Sequence, residues 1–257
     1  MRPLILITND DGIHSPGLKA ACEAVFDLAD LVICAPEKQQ TGMGRSFPRS
    51  PDQGILNKYI FKFGNSPADA YGIHGSPAYA AAHGILELAG RKPDLCISGI
   101  NYGENLGMTL TCSGTMGAAF EAQSHGVPAI AVSLEIDLEH QRKSDYISAD
   151  WAVSKAVTRE WAAKILQEGL PSHVDIYNIN VPAKIRDITH QKITRMSKQN
   201  YYEFIVPERK NYSKPYELKA EVKVDFDNLP ANSDIYAVCV DKAISVTPLG
   251  WDLSVDL

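Results

Sequence analysis

Leu4-Ile5-Leu6-Ile7-Thr8-Asn9-Asp10-Asp11-Gly12 is the stretch that decides the fold. Four consecutive aliphatic residues without polar alternation read as a short strand buried on both faces, as in a parallel sheet covered by helices. The strand runs straight into three oxygen-bearing side chains, Asn9, Asp10 and Asp11, and Gly12 then permits a tight turn. Ser15-Pro16 follows as an N-cap serine with proline at the first helical position. Ligands of open α/β sheets bind outside the carboxyl ends of the strands. Two adjacent carboxylates repel there unless a cation or a proton offsets them, so the pair marks a candidate site. The alternative is an Asn/Asp turn that only breaks the strand.

Outward from this stretch, the spacing of Leu18, Ala21, Cys22, Val25 and Phe26 predicts a helix over 16–29. A second strand over 31–35 ends at Pro36, giving a strand–helix–strand unit of the length that parallel pairing requires. Residues 37–51 form a polar loop with Lys38, Thr41, Arg45 and Ser46. Its Gly42-Met43-Gly44 is similar to the start of a dinucleotide fingerprint, but Phe47 stands at the third glycine position. Segments 59–63 and 71–74 read as an extended pair. Ser76-Pro77 then opens an Ala-rich helix to residue 89, stopped by Gly90. Strand 95–98 leads into a loop with Asn101 and Asn105, and a small, hydroxyl-rich segment from Thr111 starts a helix ending near Gly126. A strand over 129–133 and a helix over 150–167 complete an α/β pattern: a doubly wound, mostly parallel, Rossmann-like sheet with helices on both faces.

Beyond 175–182 the character changes. Residues 190–247 hold β-type runs at 216–226 and 235–240 and no helical signal. This predicts a C-terminal β-hairpin extension, about 190–240, on a single α/β domain spanning 1–257. Uncovered strand edges need a partner, so 195–235 reads as an oligomerisation arm with Tyr201, Tyr202, Tyr212 and Tyr216 at its interface.

The 257 residues are 45% hydrophobic and 22% charged with a net charge of −6, which argues against a broad nucleic-acid or anionic-membrane surface. The five cysteines form no C-x-x-C pair, and Cys34, Cys96 and Cys239 sit in apolar runs that read as strands. They read as small buried hydrophobes in a reducing compartment. No run approaches the ~20 apolar residues of a membrane span, and the N-terminal run is too short for a signal peptide. A cytoplasmic protein is the expectation.

In a parallel sheet, three strand ends share one edge. They deliver Asp10 and Asp11, the loop with Thr41 and Ser46, and Asn101 with Asn105. These are all oxygen donors, which suits a hard cation such as Mg²⁺, Mn²⁺ or Ca²⁺ and disfavours zinc. Ser113-Gly114-Thr115 offers a helix N-terminus with free N–H groups and two hydroxyls, the cradle a phosphate takes. A cation and an N–H cradle on one edge point to phosphate-ester chemistry. His14, Lys38 and Arg45 lie in loops from which they reach the site or solvent; His74, His83 and His125 read as structural or exposed.

Thr8-Asn9-Asp10-Asp11-Gly12, Ser98-Gly99-Ile100-Asn101 with Gly103 and Asn105, and Ser113-Gly114-Thr115 together resemble the SurE survival-protein family. Gly75-Ser76-Pro77-Ala78, Asn178-Ile179-Asn180-Val181-Pro182 and Ser245-Val246-Thr247-Pro248 extend the resemblance through nearly the whole chain. It implies a metal-dependent 5′/3′-nucleotidase acting on nucleoside monophosphates. Asp10 and Asp11 would then be catalytic, and Asp10, Asp11 and Asn101 ligands of one divalent ion per subunit, Mg²⁺ or Mn²⁺, with Ca²⁺ able to replace it in a crystal. Thr41 stands where the family places a ligating serine, and Tyr79 where it usually has an aspartate. Asn9 and Asn105 join Ser113, Gly114 and Thr115 as substrate- or phosphate-binding residues, and homodimers or homotetramers form partly through the extension. Three rivals remain. A response-regulator receiver needs an aspartate where Asn101 stands, and a haloacid-dehalogenase-type phosphatase needs D-x-D spacing. A non-catalytic nucleotide-binding or regulatory module would bind nucleotide without turnover.

Overall fold

The computed structural model describes residues 1–64, 66–141 and 146–254. Strands and helices follow in the order β1 (Leu4–Thr8), α1 (Pro16–Val25), β2 (Asp30–Pro36), β3 (Leu56–Phe63), β4 (Ser66–Ile73), α2 (Pro77–His83), β5 (Leu95–Tyr102), α3 (Gly114–Ser124), β6 (Ala129–Leu134), α4 (Ala152–Glu168) and β7 (Ile176–Val181). The chain then adds β8 (Gln191–Ile193), β9 (Tyr202–Phe204), β10 (Ala220–Val222), α5 (Asp234–Cys239) and β11 (Ile244–Leu249).

Nine strands form one sheet in the order β3-β4-β2-β1-β5-β6-β7-β11-β8. From β4 to β7 every neighbour is parallel, while β3 closes one edge antiparallel to β4 and β11 runs antiparallel to β7. The period of two along β1 divides the core. Ile5 and Ile7 pack with Leu18, Cys22, Val157 and Trp161 of α1 and α4, whereas Leu6 packs with Ala80, Ala81, Ala118 and Ala122 of α2 and α3. Helices therefore cover both faces, as the unbroken aliphatic run of β1 requires. The chain winds from β1 through β2 to β4, then returns to β5 on the other side. The strand order thus reverses between the carboxyl ends of β1 and β5, where an open α/β sheet forms its ligand crevice.

The C-terminal expectation is corrected in part. The run at 235–240 is helical: α5 carries an N-cap at Ser233, whose Oγ accepts the Tyr236 amide. Ile235 and Val238, three residues apart, pack on one face with Leu106, Tyr201 and Leu229. Run 216–226 keeps only the three-residue β10, paired antiparallel with β9 in a small separate sheet. β8 belongs to the main sheet, through its parallel pairing with β11. Cys239 accordingly lies in a helix, half-buried, and all five cysteines are free thiols. No helix among the described residues is long and apolar enough to cross a membrane.

Candidate active site

The turn after β1 is braced from within. Asn9 Oδ1 accepts the Gly12 amide at 3.0 Å and its Nδ2 donates to Gly12 O, while Gly12 itself takes a φ of +106° that favours glycine. Asn9 is thereby engaged in the turn and lies outside the cavity lining. The loop after β2 is tied to the same turn, with the Gln40 amide donating to Asp10 O at 2.7 Å and the Ile13 amide to Pro36 O at 2.8 Å.

Asp10 and Asp11 are 3% and 2% exposed. Thr115 Oγ1 donates to Asp10 Oδ1 at 2.6 Å, and the Gly114 and Thr115 amides at the start of α3 add favourable hydrogen bonding. A Cβ on Gly114 would stand 2.7 Å from Asp10 Cβ, so this position admits Asp10 only because it is glycine. The predicted phosphate cradle is thus partly filled by the protein's own carboxylate. Only Ser113 of the tripeptide lines the cavity, its Oγ accepting the Met116 amide at 3.2 Å. Asp11 lies behind Asp10: Oδ2 accepts the Tyr102 amide at 2.9 Å and Oδ1 accepts Gln39 Nε2 at 3.3 Å. Burial pushes both carboxyls above the ordinary carboxylate range, and the charge of Asp10 pushes Asp11 further.

A cavity of about 90 Å³ opens at this edge, with Asp10, Thr41, Asn101, Asn105 and Ser113 in its wall. Asn101 Nδ2 donates to Gly103 O at 2.6 Å, which turns its amide oxygen away as the available acceptor. Thr41 is exposed on the β2 loop. Asn105 is fixed at its backbone: its N–H donates to Asn180 Oδ1 and its carbonyl accepts Asn178 Nδ2 and Asn180 Nδ2. Its own Nδ2 donates to Ser133 Oγ at 2.9 Å. The two asparagines of β7 therefore hold the β5 loop in place.

Five further residues singled out in the sequence fall elsewhere, four of them candidates for the site and the fifth, Tyr79, a departure from the family pattern. His14 is exposed and meets Tyr59 edge to face, Arg45 pairs with Glu121 at 2.7 Å, and Tyr79 packs between Phe47 and His83. Lys38 lines a separate cavity of about 320 Å³ behind the loop, with Glu37, Asp52 and His74. Ser46 does not line the catalytic cavity, and its carbonyl accepts Ser76 Oγ. Conversely, Glu104 and Gln141 line the cavity without having been singled out, and Tyr202, expected at an oligomer interface, lines it too. Tyr202 OH donates to Glu104 and lies 98 residues away from it, a separation that leaves no local pattern to read.

The family model described as survival protein SurE matches residues 5–203 of this chain. The chain belongs to the SurE survival-protein family. A protein of Methanocella arvoryzae named 5′-nucleotidase SurE is 38% identical, over 97% of this chain and 92% of its own length. One of Thermococcus gammatolerans with the same name is 37% identical, over 97% and 91%. The crystal structure of the SurE protein from Aquifex aeolicus superposes with a TM-score of 0.73 at 30% identity, covering 98% of this chain and 95% of that one. SurE relatives thus extend over the sheet, the acid pair and the C-terminal extension together.

Proposed function

We propose that this protein is a divalent-metal-dependent nucleotidase that releases phosphate from nucleoside 5′-monophosphates, and from 3′-monophosphates where they fit. The observation that carries the reading is the acid pair. Asp10 and Asp11 are adjacent, buried at the reversal point of the sheet, and bonded to no Lys, Arg or His among the described residues. Such a pair needs a counter-cation. No three His, Cys, Asp or Glu side chains converge among the described residues, so the further donors would be the neutral oxygens of Asn101 and Thr41. Two carboxylates with neutral oxygens fit a hard cation that keeps several waters, Mg²⁺ or Mn²⁺, one per subunit. Bound there, the ion would polarise the phosphoryl group and offset its charge.

The chain's own groups do the positioning. Thr115 and the Tyr102 amide hold the two carboxylates in fixed orientations, so little reorganisation accompanies reaction. The Ser113 hydroxyl proton is not used in its capping bond and stands free to donate to a phosphoryl oxygen at the positive end of α3. Phosphate release from a panel of nucleoside monophosphates should require Mg²⁺ or Mn²⁺ and stop in excess chelator. Full turnover by protein stripped of metal refutes the metal, and nucleotide binding without turnover points instead to a regulatory module.

The free cysteines fit a reducing, cytoplasmic setting. Exposed Phe204, Val206, Tyr212 and Val222 on and beside the small sheet support a homodimer or homotetramer assembled through the extension. Tyr201 and Tyr202, expected at that interface, turn inward instead. Light scattering should give a dimer or larger, and a stable, fully active monomer contradicts it.

A further inference from the structure

Two carboxylates line the catalytic cavity among the described residues, Asp10 and Glu104, and they live in different surroundings. Asp10 faces the start of α3. Glu104, 5% exposed, is held among the described residues by neutral donors: Tyr202 OH reaches Oε1 at 2.5 Å, while Gln141 Nε2 and the Ile136 amide reach Oε2 only at 3.3 Å each. A carboxylate offers about four acceptor directions. One oxygen of Glu104 is therefore weakly satisfied, in a cavity wall, with no Lys, Arg or His among the described residues bonded to it. Its backbone is fixed, because the neighbouring Asn105 is tied to Asn178 and Asn180.

A site of this kind repels a phosphate and attracts a neutral hydroxyl donor. In a nucleoside 5′-monophosphate the group joined to the phosphate is a ribose with two vicinal hydroxyls. Resting on the nucleotidase reading above, we propose that Glu104 accepts a hydrogen bond from the ribose diol, and that Tyr202 and Gln141 position it for this. The negative charge also sets direction: the phosphate goes to Asp10 and α3, the sugar to Glu104. Tyr202 belongs to β9, so the extension shapes the sugar side of the site as well as any oligomer contact.

The test compares kcat/KM for adenosine 5′-monophosphate and its 2′,3′-dideoxy analogue. Wild-type protein should favour the ribonucleotide by about tenfold or more, since a site built for a hydroxyl loses an acceptor's partner with the analogue. Glu104→Gln replaces a charged acceptor by a neutral one and should shrink that ratio about tenfold. Calorimetric binding of adenosine against 2′,3′-dideoxyadenosine, in chelator, should show the same preference without turnover. Equal treatment of both nucleotides by the wild type overturns the proposal even if the variant does not fold. So does a Glu104→Gln protein that slows both substrates by one common factor, the mark of a merely structural role. Hydrolysis of p-nitrophenyl phosphate by the wild type checks the phosphatase reading separately: activity there without diol preference sinks only the sugar contact.

Discussion

The wall of the cavity that carries Asp10 and Asp11 and the wall that carries Tyr202 reach the same space by different routes. The first is the end of a central strand. Its acids follow directly on β1, are gripped by the start of α3 and the end of β5, and rest on residues with no exposure at all. The second is assembled from Glu104 of the β5 loop, Gln141 and Tyr202 of a three-residue strand, joined by side-chain hydrogen bonds. Backbone-anchored groups in a packed core give fixed geometry for chemistry. Side-chain networks on short elements give a surface that tunes what is bound, at lower local stability. On this account the strand wall governs rate and the extension wall governs choice of substrate.

Substitutions in the strand wall should therefore have the largest effects on rate. Asp10→Asn keeps the shape but removes the cavity-facing charge, and steady-state assays should find kcat/KM lower by ~10³-fold. Asp11→Asn, one layer deeper, should lower it by ~10²-fold. If both variants keep near-normal rates with unchanged metal dependence, the acids only form a turn. Gly114→Ala places a Cβ 2.7 Å from Asp10 Cβ and must displace that side chain. A loss of ~10- to 100-fold in activity, with about 1–3 kcal/mol of stability in denaturant titrations, is expected. A silent Gly114→Ala breaks the picture of a rigid strand wall.

How much of this was legible in sequence follows the same division. Leu4–Thr8, the acids behind it and the cap-plus-proline signals at Ser15 and Ser76 are local patterns, and with the apolar runs that follow they made the strands from β1 to β6 legible, whereas β7 was not singled out as a strand. The Ser113 cap was legible too, but the filling of its cradle by Asp10 was not, because that contact spans 105 residues. Glu104, Gln141 and Tyr202 carry no spacing signal for the same reason. The helix at Asp234–Cys239 was missed because its β-branched, aromatic content favours a strand, while the Ser233 cap and packing against Leu106 select the helix.

Smaller effects sharpen the boundary between the walls. Thr41 is exposed at the rim and neutral, so Thr41→Val should weaken apparent metal affinity by only ~10-fold, about 1.4 kcal/mol, and Thr41→Ser should be nearly silent. Superimposable metal titrations for Ser, Ala and Val variants would mean that water takes its place. Acid–base behaviour gives a still milder test. Both acids of the pair are raised by burial, so the folded chain holds their protons more tightly than the unfolded chain does. The stability they contribute is full below about pH 4 and is lost as pH rises toward and beyond neutrality. In chelator, Tm should fall across that range by a few degrees. Mg²⁺ should restore it, and Asp11→Asn should flatten the slope. A metal-free Tm that rises with pH over the same interval contradicts the environment described for the pair.

The central claim is that Asp10 and Asp11 together hold one divalent cation, and Mn²⁺ binding measures this most directly because Mn²⁺ is visible by electron paramagnetic resonance. Titrating the purified protein should reveal one site per subunit, lost or weakened by ~10²-fold in both Asp10→Asn and Asp11→Asn while the folded state persists by circular dichroism. A wild-type protein that binds no Mn²⁺, or variants that bind it as tightly as the wild type, would contradict the account.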